Sequence, residues 1–193
     1  MKLPKTFLVF DIESVGLHGE GFAVGYVLID QLGTELESGL AMCPDASAFG
    51  IPSDRDWIRK NVRPALDEKL DPPPTRLIAY VQEPKEVRDF FWKVWIDCKL
   101  QYKDECLMAA DCSWPVEARF LNQCVDDFPK ARREQGPYPF IDITSLILAT
   151  GKDPLESFGR LTNELPEHNP LADARQSARI LIESLKALKL LKK

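Results

Sequence analysis

The sequence predicts an α/β protein whose core is a five-stranded mixed sheet, an antiparallel meander followed by parallel strands, flanked by helices. Three observations carry this expectation. An apolar, β-branched run occupies Thr6 to Ser14; two further strand-like runs follow it through short glycine-bearing turns; and beyond Pro84 stretches of helical period alternate with short apolar runs. A length of 193 residues is that of one domain with a substantial core, here taken as residues 1–193.

The first strand ends in Phe10-Asp11-Ile12-Glu13-Ser14, and a side-chain period of two places Asp11 and Glu13 on one face. The turn Val15 to Gly21 leads into a second strand, Phe22 to Ile29, and Gln31-Leu32-Gly33 turns the chain into a third, Thr34 to Met42. Between Cys43 and Glu83 the pattern is irregular, with a short amphipathic helix around Asp54 to Val62 and a surface connection at Pro72-Pro73-Pro74. Pro84 opens a helix in which Val87, Phe90, Phe91, Val94, Trp95 and Cys98 recur at helical spacing. That aromatic stripe could serve base stacking, but a sheet needs a helix over its face, and core packing is the plainer reading. A fourth strand, Cys106 to Ala110, ends at Asp111 and is followed by a helix from Val116 to Asp126. Lys130 to Glu134 and Gln135-Gly136-Pro137 read as a loop before a fifth strand, Tyr138 to Ile141, ending at Asp142, which could be a ligand but reads more plainly as the cap of a helix from Thr144 to Thr150 closed by Gly151. The last helix spans Leu171 to Lys193. Its apolar face is Ala174, Ala178, Leu181, Leu185 and Leu188; Lys186, Lys189, Lys192 and Lys193 form a solvated face near its C-terminus.

Composition narrows the function classes. A net charge of −5 argues against a general nucleic-acid coat protein, though not against a nuclease whose metal-binding carboxylates count as negative. The five cysteines, Cys43, Cys98, Cys106, Cys112 and Cys124, form no Cys-x-x-Cys and read as reduced thiols of a cytoplasmic protein. Asp11 interrupts the first apolar run too soon for a signal peptide, and no run approaches the ~20 apolar residues of a membrane helix.

Two stretches carry chemistry. Asp11 and Glu13 side by side repel one another unless a cation lies between them, and oxygen ligands favour a hard divalent ion. Near the other end, His168 sits in a loop and Asp173 five residues on, in the first turn of the last helix. That spacing can present an imidazole, able to take a proton near neutral pH, and a carboxylate, able to complete a cation's shell, to one site. The chain has two histidines, which makes the match more telling.

Phe10-Asp11-Ile12-Glu13 and His168-x4-Asp173 resemble the first and third motifs of the DEDDh 3′-to-5′ exonucleases, the superfamily of DnaQ proofreading subunits, ribonuclease T and oligoribonuclease, on a ribonuclease H-like fold. The resemblance covers most of the chain except about Cys43 to Glu83. The second motif departs from the family pattern. Phe120-Leu121 match its apolar pair, which puts Glu117 at the ligand position and Ser113 where asparagine is usual; by residue type Asp111 is the alternative. The resemblance implies two Mg²⁺ or Mn²⁺ ions held by Asp11, Glu13, Asp173 and Glu117 or Asp111, with His168 as general base. It further implies Glu13, Ser14, Ser113 and Trp114 against the substrate, single-stranded RNA or DNA, and nucleoside 5′-monophosphates as products. A homodimer, known among relatives, would suit the apolar ends of the last helix. The rivals are a catalytically impaired module that binds nucleic acid or docks on a polymerase, favoured by the altered second motif, and an endonuclease or transposase-like enzyme, disfavoured by the His-x4-Asp spacing.

Overall fold

A run of nine residues, apolar or β-branched except for Asp11, Glu13 and Ser14, makes the central strand. In the computed structural model, which describes residues 4–76 and 78–191, and for Ser47 and Asp104 the backbone alone, β1 (Thr6–Ser14) lies inside a six-stranded sheet of order β4-β3-β2-β1-β5-β6. β1 pairs antiparallel with β2 (Gly21–Asp30), which pairs antiparallel with β3 (Glu35–Met42). A helical segment follows, α1 (Pro52–Trp57), a π turn Ile58–Val62 and α2 (Arg63–Asp67); then β4 (Ile78–Tyr80) adds in parallel to β3. Next come α3 (Pro84–Tyr102), β5 (Cys106–Ala110), α4 (Val116–Asp127), α5 (Pro129–Arg132), β6 (Phe140–Asp142), α6 (Ile143–Ala149) and α7 (Pro170–Ala187). β5 is parallel to β1, and β6 to β5.

Alternation along β1 divides the core. Leu8, Phe10 and Ile12 face one cluster with Phe91, Val94 and Trp95 of α3 and Phe120 of α4. Phe7 and Val9 face the other, with Ile143 and Ile147 of α6 and Ala174, Ala178, Leu181 and Leu185 of α7. The odd-numbered face leads on to Asp11 and Glu13, so the two carboxylates emerge on the side covered by α7.

The sheet has six strands, not five. The extra one, β4, is three residues long at the edge, and its Ile78 and Tyr80 side chains are exposed, so no alternation of apolar residues announces it. The helix expected over 54–62 begins at Pro52 and runs on through the π turn to Asp67. The expected loop at Lys130 to Glu134 is helical, because Arg132 turns inward to donate to the Cys124 carbonyl at 2.8 Å and to Asp89 at 2.6 Å. The strand expected from Tyr138 begins at Phe140, with Tyr138 left exposed. α7 stops at Ala187, just before Lys189 adopts φ 58°, and Lys192 and Lys193 lie outside the described residues. Cys43, Cys98, Cys106 and Cys124 are buried free thiols, and Cys112 is a free exposed one. No described helix is long and apolar enough to cross a membrane.

One close approach sets the position of α7. Gly25 is the register partner of Asp11, and a Cβ there would lie 2.0 Å from the Leu171 nitrogen and 2.1 Å from the Pro170 carbonyl carbon. Only a hydrogen side chain lets the start of α7 rest on the sheet beside Asp11. The buried Asn169 then fixes the helix end: its side-chain oxygen accepts from the Leu171 and Ala172 N–H groups at 3.1 and 3.4 Å, and its amide donates to the Ala65 carbonyl at 3.0 Å. Gly25→Ala is therefore expected to cost about 3 kcal/mol, the upper end of overpacking penalties, in chemical denaturation. Gly159→Ala, where an added Cβ meets nothing within 4 Å, should stay within about 0.5 kcal/mol of wild type.

Candidate metal centre

The antiparallel ladder with β2 continues past the point where β5 stops pairing, so the C-terminal end of β1 is a half-open strand edge. α4 begins beside it. Glu117, buried in the first turn of α4, lies beside the Ile12 main chain, on the strand that carries Asp11 and Glu13. From the other side the first turn of α7 brings Asp173, whose N–H donates to the Asn169 carbonyl at 2.9 Å. The loop before it brings His168, held at φ 64° with its ring edge-on to Trp57, centroids 5.0 Å apart.

Glu13, His168 and Asp173 converge so closely that one ligand atom from each lies within 4.8 Å of the other two, and these three could hold a metal ion. Asp11, Glu117 and Asp111 extend the acidic field toward the sheet. Burial, then the charges of Asp173, Glu117, Glu13 and Asp111, hold the Asp11 carboxyl well above its ordinary range. Burial, with Asp173 and Glu117, pushes Glu13 up to about 9. Glu117 is pushed up to about 7, chiefly by burial and against the pull of the neighbouring main-chain N–H groups. Asp173 is raised by burial despite Arg160, whose guanidinium donates to its carboxylate at 2.5 Å, and despite His168. The donor set is carboxylate oxygen plus one imidazole, which suits a hard or borderline divalent cation and would relieve the repulsion these shifts express.

The two candidates for the second acidic position occupy different environments. Glu117 faces both Asp11 and Glu13, whereas Asp111, raised by burial, faces Asp11 and accepts a 2.8 Å hydrogen bond from Thr144. Asp142 caps α6, accepting from the Ser145 N–H at 3.0 Å. It also takes the Ser113 hydroxyl at 3.0 Å, so Ser113 is committed to that turn.

Beside Glu13 opens a pocket of about 290 Å³ lined by Ile12, Ser14, Gly16, Leu17, Trp57 and Val116, with Asp54 at its wall. Ser14 lines it while its hydroxyl donates to the Gly16 carbonyl at 2.8 Å; Ser113 and the exposed Trp114 are not part of its lining. Gly16 has φ 71°, and a Cβ there would sit 2.5 Å from the Asp54 carboxylate, so the Asp54 side chain of α1 rests against the main chain of the turn. Leu17, Asp54, Trp57, Thr144 and Arg160 went unread as site residues. For Trp57 the signal was its place in an amphipathic helix; for Arg160, in an irregular loop, there was none. No protein-family model matches the chain, and no curated protein matches it.

A carboxyl whose pKa is higher in the folded than in the unfolded chain keeps its proton where the unfolded chain has lost it, so folding is penalised as pH rises. For Glu13 that window runs from its ordinary 4.5 to about 9, and for Glu117 from 4.5 to about 7. Metal-free protein should therefore lose stability as pH rises through these ranges. Thermal melts in EDTA should show Glu13→Gln raising Tm at pH 8 by about 3–6 °C, with little change at pH 4. Mn²⁺ at about 100 times its Kd should stabilise wild type by about 2.7 kcal/mol at pH 8.

Proposed function

We propose that the chain is a metal-dependent 3′-to-5′ exonuclease of the DEDDh type on a ribonuclease H-like fold, hydrolysing single-stranded nucleic acid to nucleoside 5′-monophosphates. One observation carries the reading: Asp11 and Glu13 at the end of the central strand meet Glu117 from one helix, Asp173 from another and His168 from the loop before it. This is the acidic constellation, with a histidine at its rim, that hydrolysis of a phosphodiester calls for. The sheet, three antiparallel strands extended by two parallel ones beyond β1, supports the fold assignment. The free cysteines support a reducing, cytoplasm-like setting.

Asp11, Glu13, Glu117 and Asp173 would hold two Mg²⁺ or Mn²⁺ ions, which when bound supply Lewis-acid charge to the attacking and leaving oxygens. His168, half-buried at the mouth of the loop and flanked by Trp57, accepts the proton of the attacking water. Glu13 lies between the acidic cluster and the pocket, where it orients the terminal 3′-hydroxyl. The pocket beside it offers Leu17 and Trp57 as apolar surface for a terminal base, and its 290 Å³ suits one splayed nucleotide better than a stacked duplex. The charge of Glu117 acts on both first-strand carboxylates, which supports it as the second-motif ligand, while Asp111 is engaged by Thr144.

A second reading, a module that binds nucleic acid without turnover, is favoured by Arg160 seated on Asp173. One assay separates the two. With 5′-labelled single-stranded RNA and DNA and Mn²⁺ or Mg²⁺, a ladder shortening from the 3′ end and abolished by EDTA is expected. His168→Ala is expected to lower the rate by about 10²–10⁴-fold, and Asp11→Ala to leave no detectable turnover, both with cooperative melts retained. Binding with no product from either nucleic acid supports the second reading; near-normal turnover in either variant refutes the assignment.

A further inference from the structure

Among the described residues, Arg160 makes the only ion pair to any carboxylate of the acidic cluster. One of its terminal nitrogens donates to Asp173 Oδ1 at 2.5 Å and to the Glu164 carbonyl at 2.9 Å, and the other lies 3.7 Å from the Glu167 carboxylate. The side chain is 19% exposed, and the turn that carries it is pinned to α7. The Leu161 N–H donates to the buried Glu164 carboxylate at 2.8 Å, and Arg179 of α7 donates to the same carboxylate at 2.6 and 2.9 Å and to the Gly159 carbonyl at 2.6 Å. Arg160 is thus held in place by structure independent of Asp173.

A guanidinium on Asp173 and a divalent ion held by Glu13 and Asp173 make competing demands. Arg160 engages Oδ1 of the carboxylate the ion would share, and two cations on one carboxylate in a largely buried site repel strongly. We propose that Arg160 is the resident counter-ion of the metal-free centre, and that a divalent ion binds by exchange, with Asp173 leaving Arg160 for the metal. This inference rests on the metal-centre reading above. It assigns Arg160 a positioning role. In the metal-free state it orients Asp173 and screens it from Glu13 and Asp11, and it raises the metal concentration needed to fill the centre.

Direct Mn²⁺ titration of the full chain, by calorimetry and by electron paramagnetic resonance of free Mn²⁺, tests the exchange. Arg160→Ala should bind Mn²⁺ about tenfold more tightly than wild type while melting at a lower temperature in EDTA. Arg160→Gln, which keeps a donor for the Glu164 carbonyl but no charge, should shift affinity the same way and guards against misfolding of the alanine variant. Arg160→Lys should stay near wild type. Affinity unchanged or weakened in both neutral variants, or a lysine variant that behaves like alanine, overturns the exchange while leaving the metal centre standing. A wild-type chain that binds no Mn²⁺ overturns both.

Discussion

Carboxylates buried around the end of one strand cannot all be charged in one small volume without a compensating cation, and much of this structure is arranged around that constraint. Asp11 and Glu13 sit where β1 outruns its parallel neighbour, and Glu117 and Asp173 are brought to them by two different helices. The cost is visible as carboxyl groups that hold their protons far above the usual range. Clustered carboxyl groups shifted this far are what mark this end of the sheet as the candidate site.

The scaffold makes the convergence possible by modest means. Alternation along β1 gives its even residues to the core beneath α3 and α4, and its odd ones to the face under α7. Gly25 removes the side chain that would hold α7 off the sheet, and Asn169 locks the helix start to the segment carrying Trp57. The same contacts that bury the helix therefore bring Asp173 up to Asp11 and His168 against Trp57. Packing and site geometry share residues here, so the two are expected to fail together.

How much of this was legible in the chain depended on whether a residue's role was local. β1, β2, β3, β5 and most of α3, α4 and α7 follow from apolar period, because each buries a continuous face. Asp11, Glu13, His168 and Asp173 could be picked out because carboxylates at the end of an apolar run, and a histidine just ahead of a helix, stand out against their neighbours. β4 could not be read, since its side chains are exposed and only its main chain belongs to the sheet. The rival claims of Asp111 and Glu117 needed coordinates, because they turn on which carboxylate faces Glu13 and which is tied to Thr144. Arg160 was invisible for the same reason: its partner lies thirteen residues on, across an irregular loop with no period to follow.

The most direct test of the central claim, that these carboxylates form a divalent-cation centre, is anomalous diffraction from crystals soaked in Mn²⁺. The account requires Mn²⁺ peaks between Asp11, Glu13, Glu117 and Asp173, two of them ~3.5–4 Å apart when a nucleotide is present. Crystals that show no anomalous peak in this cluster, with Arg160 still seated on Asp173 at high Mn²⁺, would contradict it.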